Sequence, residues 1–173
     1  MIARLAIAAA FFAVSVTDAG EPKGSSKSSG ASMAVKGDWV GCNTIMESRQ
    51  AGDDQLIMVT IDKKFTGTLN GIYDGTERKV VHKDKSASFN GSGLFTGDVN
   101  GRRGTAVMTC SGTVDAKGAA VAHWVLDKGT DNLARIDGQG TFQGKQLRPA
   151  PAGCTDPTSQ SAFGGTYSGR VQF

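Results

Sequence analysis

The sequence predicts an all-β protein, an antiparallel up-and-down barrel of about eight strands. A heptapeptide occurs twice, 30 residues apart: residues 65–71 read FTGTLNG and residues 95–101 read FTGDVNG. Apolar residues also alternate along several segments, which is the period of a half-buried strand. Such segments, separated by glycine turns, are typical of small closed barrels. Shorter forms of the aromatic–glycine pattern recur at Phe89-Asn90-Gly91, Phe142-Gln143-Gly144 and Phe163-Gly164-Gly165.

The first half of the barrel follows from alternation and turn residues. A first strand is expected over 33–43, and the polar stretch 44–54 is expected to hold a loop or a short helix. A second strand starts at Gln55, because Ile57, Val59 and Ile61 alternate with residues of the opposite face. Asp-Gly and Asn-Gly pairs tolerate positive φ and mark turns. We therefore expect turns at Tyr73-Asp74-Gly75 and Asn100-Gly101. A further turn is expected at Lys83-Asp84-Lys85. The strands between these turns are expected at 76–82, 86–90 and 94–99.

The second half is predicted in the same way. Strands are expected at 103–114, 119–126, 132–142 and 164–173, with a proline-rich loop at 145–162. The residues expected inside are Ile57, Val59, Ile61, Ala106, Met108, Cys110, Val114, Ile136, Tyr167, Val171 and Phe173.

The N-terminus has the composition of a secretory signal peptide. Arg4 precedes an apolar run from Leu5 to Val16, and Thr17-Asp18-Ala19 offers a small-x-small cleavage site. The run is too short to span a bilayer, which needs about 20 apolar residues. We therefore expect a signal peptide at 1–19, a flexible leader at 20–32, and a single barrel domain at 33–173. The mature protein is expected to be soluble, without a membrane span, and secreted or periplasmic.

The charge pattern argues against nucleic acid as a partner. The formal net charge is +3, and the only adjacent basic pairs are Lys63-Lys64, Arg78-Lys79 and Arg102-Arg103. Nucleic-acid binding would require a basic stripe with stacking aromatic residues. His82 and His123 are the only histidines, and no metal site or cofactor motif is expected.

Three cysteines leave room for one disulfide in an oxidising compartment. We favour a bridge between Cys42 and Cys154, with Cys110 as a buried small apolar residue. The sequence alone leaves the pairing open.

The strand at Ala119 to Leu126 is largely apolar on both faces. Such a strand is normally covered on both sides. A tail, a loop or a second subunit could cover the outer face, and we favour a homo-oligomer contact.

Residues 104–142 carry a resemblance to a known family. Their motifs are Ser111-Gly112-Thr113, a strand centred on Trp124, Gly129-Thr130-Asp131-Asn132-Leu133, and Gly138-Gln139-Gly140. The stretch is similar to a bacterial family of uncharacterised proteins with an allene-oxide-cyclase-like, lipocalin-like barrel. The resemblance covers about residues 55–143 and implies an eight-stranded antiparallel barrel. It implies no established activity.

The expected interior bears on function. By alternation it is almost entirely apolar, with Tyr167 and Cys110 as its only polar groups, and no catalytic residue is assigned. The favoured function is a cofactor-free, exported barrel that binds a small hydrophobic molecule through Met108, Trp124, Ile136 and Tyr167, although the same residues could simply pack as a core. One alternative is a cofactor-independent cyclase or isomerase that acts by restraining its substrate. Another is a surface or envelope interaction protein that uses the outer face near His123.

Overall fold

The structure is a computed structural model that describes residues 31–154 and 159–173 of the 173-residue chain. The predicted signal peptide (1–19) and most of the predicted leader (20–32) lie outside the described residues. A closed antiparallel barrel is formed in which each strand pairs with the next and β8 pairs with β1. The predicted fold class is therefore confirmed. The strands are β1 (Met33–Ala51), β2 (Asp54–Gly67), β3 (Leu69–Val81), β4 (Ala87–Val99), β5 (Arg102–Val114), β6 (Ala119–Asp127), β7 (Asp137–Leu147) and β8 (Ser159–Gln172).

Alternation along each strand decides which side chains fill the barrel. In β2, Val59, Ile61 and Phe65 are buried, whereas Asp62 and Lys64 between them are exposed. The period of two follows from the pleat, which directs successive side chains to opposite faces of the sheet.

The first strand is longer than its composition indicates. The predicted loop or short helix at 44–54 is wrong, because β1 continues to Ala51 and pairs with β2 up to Asp54. The strand register shifts between Ile45 and Glu47, a β-bulge that leaves Met46 largely exposed. Pairing with a long, strongly alternating partner strand thus outweighs the polar composition of this stretch.

The predicted turn at Tyr73-Asp74-Gly75 is also wrong. These residues lie in the middle of β3, where Asp74 pairs with Asp62 on one side and Leu94 on the other. The chain turns instead at Thr68, directly after Gly67, whose φ of +104° suits glycine. Two ladders of backbone hydrogen bonds therefore outweigh the local turn preference of Asp-Gly.

The predicted strand 132–142 begins later than expected. Residues Asp131–Leu133 form a 3₁₀ turn, and β7 starts at Asp137. Leu133 is fully buried and Ile136 is nearly so. The predicted long loop is also shorter, since β7 extends to Leu147 and β8 starts at Ser159.

The two ends of the barrel differ. At the closed end, Leu133 and Ile136 belong to the same buried cluster as Val35, Val99 and Val171. At the open end lie the turn at 52–53, the loops at 82–86 and 115–118, and Arg148 directly after β7.

A disulfide joins Cys42 of β1 to Cys154. The favoured pairing is thus confirmed. Cys110 is a free, buried cysteine. The bridge connects residues 112 positions apart and fixes the β7–β8 connection to the barrel wall.

Candidate functional site

A cup of about 740 Å³ lies at the open end of the barrel. Most of the charged side chains in its lining are basic. They include Lys85, Lys117, Lys145 and Arg148, whereas Asp115 is acidic. The volume falls within the range of about 300–1,000 Å³ that is usual for small-molecule sites. Apolar side chains of the cup are Ile45, Ile57, Val59, Val81, Ala87, Val114, Ala116, Leu147 and Phe163.

Beneath the cup lies a much smaller interior cavity of about 30 Å³. Lys79, Val114 and Phe163 line both spaces, so they form the boundary between the cup and the interior. Trp39 and Phe142 also line the interior cavity, with ring centroids 5.5 Å apart. The middle of the barrel is thus filled by side chains.

A charged cluster lies at this boundary, formed by Lys63, Glu77, Lys79 and Cys110. The Lys63 ammonium is 2.7 Å from Glu77 Oε1, and the Lys79 ammonium is 3.6 Å from Glu77 Oε2. The Lys63 and Glu77 side chains are only 5% and 3% exposed, and that of Lys79 is 14% exposed. Two ammonium groups therefore share one carboxylate in a largely dry interior.

Strand register brings Glu77 to Cys110. Gly91 of β4 pairs with Glu77 on one side and with Cys110 on the other. A Cβ at Gly91 would lie 2.5 Å from Glu77 Cγ, so only glycine leaves room there. The thiol of Cys110 can then donate to Glu77 Oε1 across 3.4 Å.

Aromatic rings surround the ammonium groups. The Lys63 Nζ lies 5.0 Å from the centroid of Tyr73 and 5.5 Å from that of Phe142. The Lys79 Nζ lies 5.9 Å from Phe89 and 5.7 Å from Phe163. These separations allow cation–π attraction, which offsets part of the desolvation of the buried lysines.

The pKa values of Glu77 and Lys79 are both lowered, but for different physical reasons. Burial alone would raise the pKa of Glu77, but the charges of Lys63 and Lys79 outweigh burial and lower it. Glu77 is therefore ionised at neutral pH. Burial lowers the pKa of Lys79, and the attraction of Glu77 offsets this only in part.

Two further groups hold their protons tightly. Burial raises the pKa of the Cys110 thiol to about 11, although Lys63 favours the thiolate. Burial likewise raises the pKa of Tyr73, with contributions from Cys110 and Glu77. Both groups are neutral proton donors at neutral pH.

The expectation of an almost entirely apolar interior is therefore wrong. Continuing the alternation of Ile57, Val59 and Ile61 by two residues would have placed Lys63 inside. The false turn at residues 73–75 hid the inward positions of Glu77 and Lys79, because it removed the first half of β3 from the pattern.

The four residues predicted to bind a ligand lie deeper in the barrel. Met108, Trp124, Ile136 and Tyr167 are all buried and belong to one core cluster, and none lines the cup. Trp124 approaches Phe142 at 6.2 Å between ring centroids. Tyr167 Oη accepts a hydrogen bond of 2.7 Å from the Leu69 amide. Their role in binding stays a prediction.

The outer face of β6 matches its sequence pattern. Ala120, Ala122, Trp124 and Leu126 point inward and are buried. Val121 and Val125 point outward and are 52% and 42% exposed.

Over the described ranges, 31–154 and 159–173, no helix is long and apolar enough to cross a membrane. In that same part of the chain, no three potential metal ligands of the His, Cys, Asp or Glu type gather.

These features define a class of protein: a closed, eight-stranded antiparallel barrel with a charged cluster inside and a cup at one end. More specifically, the chain belongs to the family described as "Protein of unknown function (DUF3224)", whose model matches residues 42–148. The predicted resemblance to an uncharacterised bacterial barrel family is thereby confirmed.

Comparison with solved structures agrees with this assignment. The chain is similar to a protein with unknown function of the DUF3224 family from Shewanella oneidensis MR-1, with a TM-score of 0.59 and 19% identity. The match covers 82% of this chain and 97% of the other, and at this identity it concerns the fold. None of the curated proteins compared with the sequence matches it.

Proposed function

We propose that the protein binds a small, largely apolar molecule in the cup at the open end of the barrel. The observation that carries this proposal is the cup itself, with about 740 Å³ of space and nine apolar side chains in its lining. Burial of apolar surface contributes about 25 cal/mol per Å², so a wall of this kind favours an apolar ligand.

The ligand body occupies the cup rather than the interior. The interior cavity of about 30 Å³ has room for little more than one or two waters, whereas small-molecule sites are usually at least ten times larger. Met108, Trp124, Ile136 and Tyr167 then act as the rigid packing beneath the site. They support Phe142 and the charged cluster without lining the cup.

Export is part of the proposal. A signal peptide at residues 1–19 would deliver the chain to an oxidising compartment. The Cys42–Cys154 disulfide supports this location, because such bonds persist outside the reducing cytosol. A secreted or periplasmic carrier is the resulting role.

The test is native mass spectrometry of the mature protein purified from its own host. We expect extra mass from a small molecule that denaturation releases. Ala87 lines the cup and Ala134 is exposed at the closed end, so Ala87→Trp should lose the extra mass and Ala134→Trp should retain it. A clean apo spectrum of the unaltered protein, together with no binding of apolar probes, would overturn the proposal.

A cofactor-independent isomerase or cyclase is the second candidate, and the charged cluster supports it. Glu77 is ionised and could accept a proton as a general base, and the Cys110 thiol lies 3.4 Å from its Oε1. A reactive epoxide or polyene should then convert faster than in buffer. Glu77→Gln and Trp124→Ala should each remove that acceleration. The small volume next to Glu77 makes binding the better supported function.

Self-association through the outer face of β6 is a further part of the proposal. Val121 and Val125 are the exposed apolar residues that support it. Sedimentation velocity should detect a concentration-dependent oligomer that Val121→Lys abolishes. A monomer at all concentrations would exclude this contact.

A further inference from the structure

We propose that the ligand of the cup carries one acidic headgroup, a carboxylate on an apolar chain, and that Lys79 anchors it. This inference rests on the proposed binding function. It adds to it the chemical class of the ligand and the residue that selects it.

The first step is a charge count at the floor of the cup. Lys63, Glu77 and Lys79 are in ion-pair contact, so two ammonium groups face one carboxylate. Lys63 makes the short contact of 2.7 Å with Glu77. A buried charge without a close partner is costly, and a second anion near Lys79 would balance the group.

The second step is the geometry of Lys79. Its Nζ lies 3.6 Å from Glu77 Oε2, beyond the usual range of about 2.7–3.2 Å for an N–H···O bond. An ammonium group carries three donors. Lys79 also lines both the cup and the interior cavity, so its head group is within reach of a ligand in the cup.

The third step is the surroundings of Lys79. The ring centroids of Phe89 and Phe163 lie 5.9 and 5.7 Å from the Nζ, and the Lys79 side chain is only 14% exposed. Burial and the charge of Lys63 lower the pKa of Lys79, and Glu77 offsets this only in part. A carboxylate placed there would form a charge-assisted hydrogen bond in a dry site, where such bonds are strongest.

The basic side chains Lys85, Lys117, Lys145 and Arg148 in the lining of the cup also favour an acidic ligand. Four basic side chains and one acidic side chain line the upper part of the cup. Exposed charges of this kind steer an anionic molecule towards an opening more than they add to its affinity. A ligand of this kind would pack its apolar chain against the apolar lining of the cup and place its carboxylate next to the Lys79 ammonium.

The test uses three probes with the same ten-carbon chain: decanoate, decan-1-ol and decylammonium. Binding to the mature, disulfide-bonded protein is measured by calorimetry and by intrinsic tryptophan fluorescence, to which Trp39 in the lining of the interior cavity contributes. We expect decanoate to bind at least about tenfold more tightly than decan-1-ol, and decylammonium more weakly still.

Two matched variants assign the preference to one residue. Lys79→Met should reduce decanoate binding to that of decan-1-ol. Lys64→Met makes the same change on the outward face of β2 and should leave the preference intact. The comparison of the three probes on the unaltered protein keeps the inference testable even where Lys79→Met fails to fold.

The outcomes separate the two proposals. Equal binding of decanoate and decan-1-ol, or tighter binding of decylammonium, overturns the acidic headgroup and leaves apolar binding standing. A decanoate preference that survives Lys79→Met overturns the anchor. Failure of all three probes to bind overturns the headgroup inference together with the binding function on which it rests.

Discussion

Cys110 is buried beside Glu77 and Lys63, and its thiol pKa of about 11 makes it unreactive. A thiolate reacts whereas a thiol does not, so a shift from 9.0 to about 11 lowers the reactive fraction about a hundredfold. We expect iodoacetamide at pH 8 to leave the native protein unmodified over hours and to add one label in guanidinium. Intact mass measures this. Rapid labelling of the native protein would contradict the buried placement.

Glu77 should control the acid stability of the barrel. Its pKa is lowered in the folded state, so its stabilising contribution is present above the ordinary glutamate pKa of 4.5 and is lost as the pH falls through the folded pKa. Glu77→Gln leaves two buried lysines without their carboxylate. We expect it to reduce the free energy of unfolding by about 3–5 kcal/mol at pH 7 and by much less at pH 3.

Urea unfolding at the two pH values measures this effect. Glu47→Gln is the matched control, because Glu47 is exposed on β1. It should change the free energy of unfolding by less than about 0.5 kcal/mol. A loss for Glu77→Gln that is the same at pH 7 and pH 3 would contradict an ionised, paired Glu77.

At the scale of the element, the 3₁₀ turn Asp131–Leu133 acts as a plug for the closed end. Thr130 donates to Thr105 O at 2.8 Å, and Leu133 is fully buried against Gly104. A Cβ at Gly104 would lie 3.1 Å from Leu133 Cγ, so the two positions fit closely. The turn thus contributes a side chain to the core that no strand supplies.

Leu133→Ala should remove that contribution. Truncation of a fully buried leucine destabilises a protein by about 2–5 kcal/mol, depending on how well the cavity collapses. We expect a loss in this range by urea unfolding. Arg135→Ala, an exposed neighbour, should change stability by less than about 0.5 kcal/mol. A near-neutral Leu133→Ala would mean that the turn does not seal the barrel.

Turns were the weak point of prediction at this scale, and strands the strong one. The period of two predicted β2 and β5 correctly, since it reports which side chains the pleat directs inward. Asp74-Gly75 has the composition of a turn, yet it lies in a strand because both neighbours pair with it. The plug at residues 131–133 begins at Asp131, whose φ of +52° no alternation pattern reveals.

The same reason limits what the sequence says about the site. Met108, Trp124 and Tyr167 were predicted to be inside and are buried, because apolar alternation carries that information. The charged cluster was missed, because a lysine or glutamate on the inward face interrupts the alternation of apolar and polar residues from which inward positions are predicted. Its assembly depends on register across four strands, β2 to β5, with Gly91 between Glu77 and Cys110.

At the scale of the whole molecule, the fold depends on closure between β8 and its two neighbours. Val171 pairs with Met33 of β1 and with Gly138 of β7, and it is 1% exposed. Gln172 donates to Asp137 at 2.9 Å, and the guanidinium of Arg102 stacks 4.1 Å from the ring of Phe173. A closed barrel leaves no strand edge unpaired, which protects it from edge-to-edge aggregation.

Deleting residues 171–173 should therefore open the closed end. The deletion removes the buried Val171, worth about 1.5–3 kcal/mol, and exposes the paired edges of Met33 and Gly138. We expect a lower melting temperature and concentration-dependent aggregation by light scattering. Phe173 lies beyond β8, so deleting it alone removes no strand pairing. We expect this variant to be as free of aggregation as the full chain. If the three-residue truncation were as stable and as free of aggregation as the full chain, closure between β8 and its neighbours would not hold the barrel together.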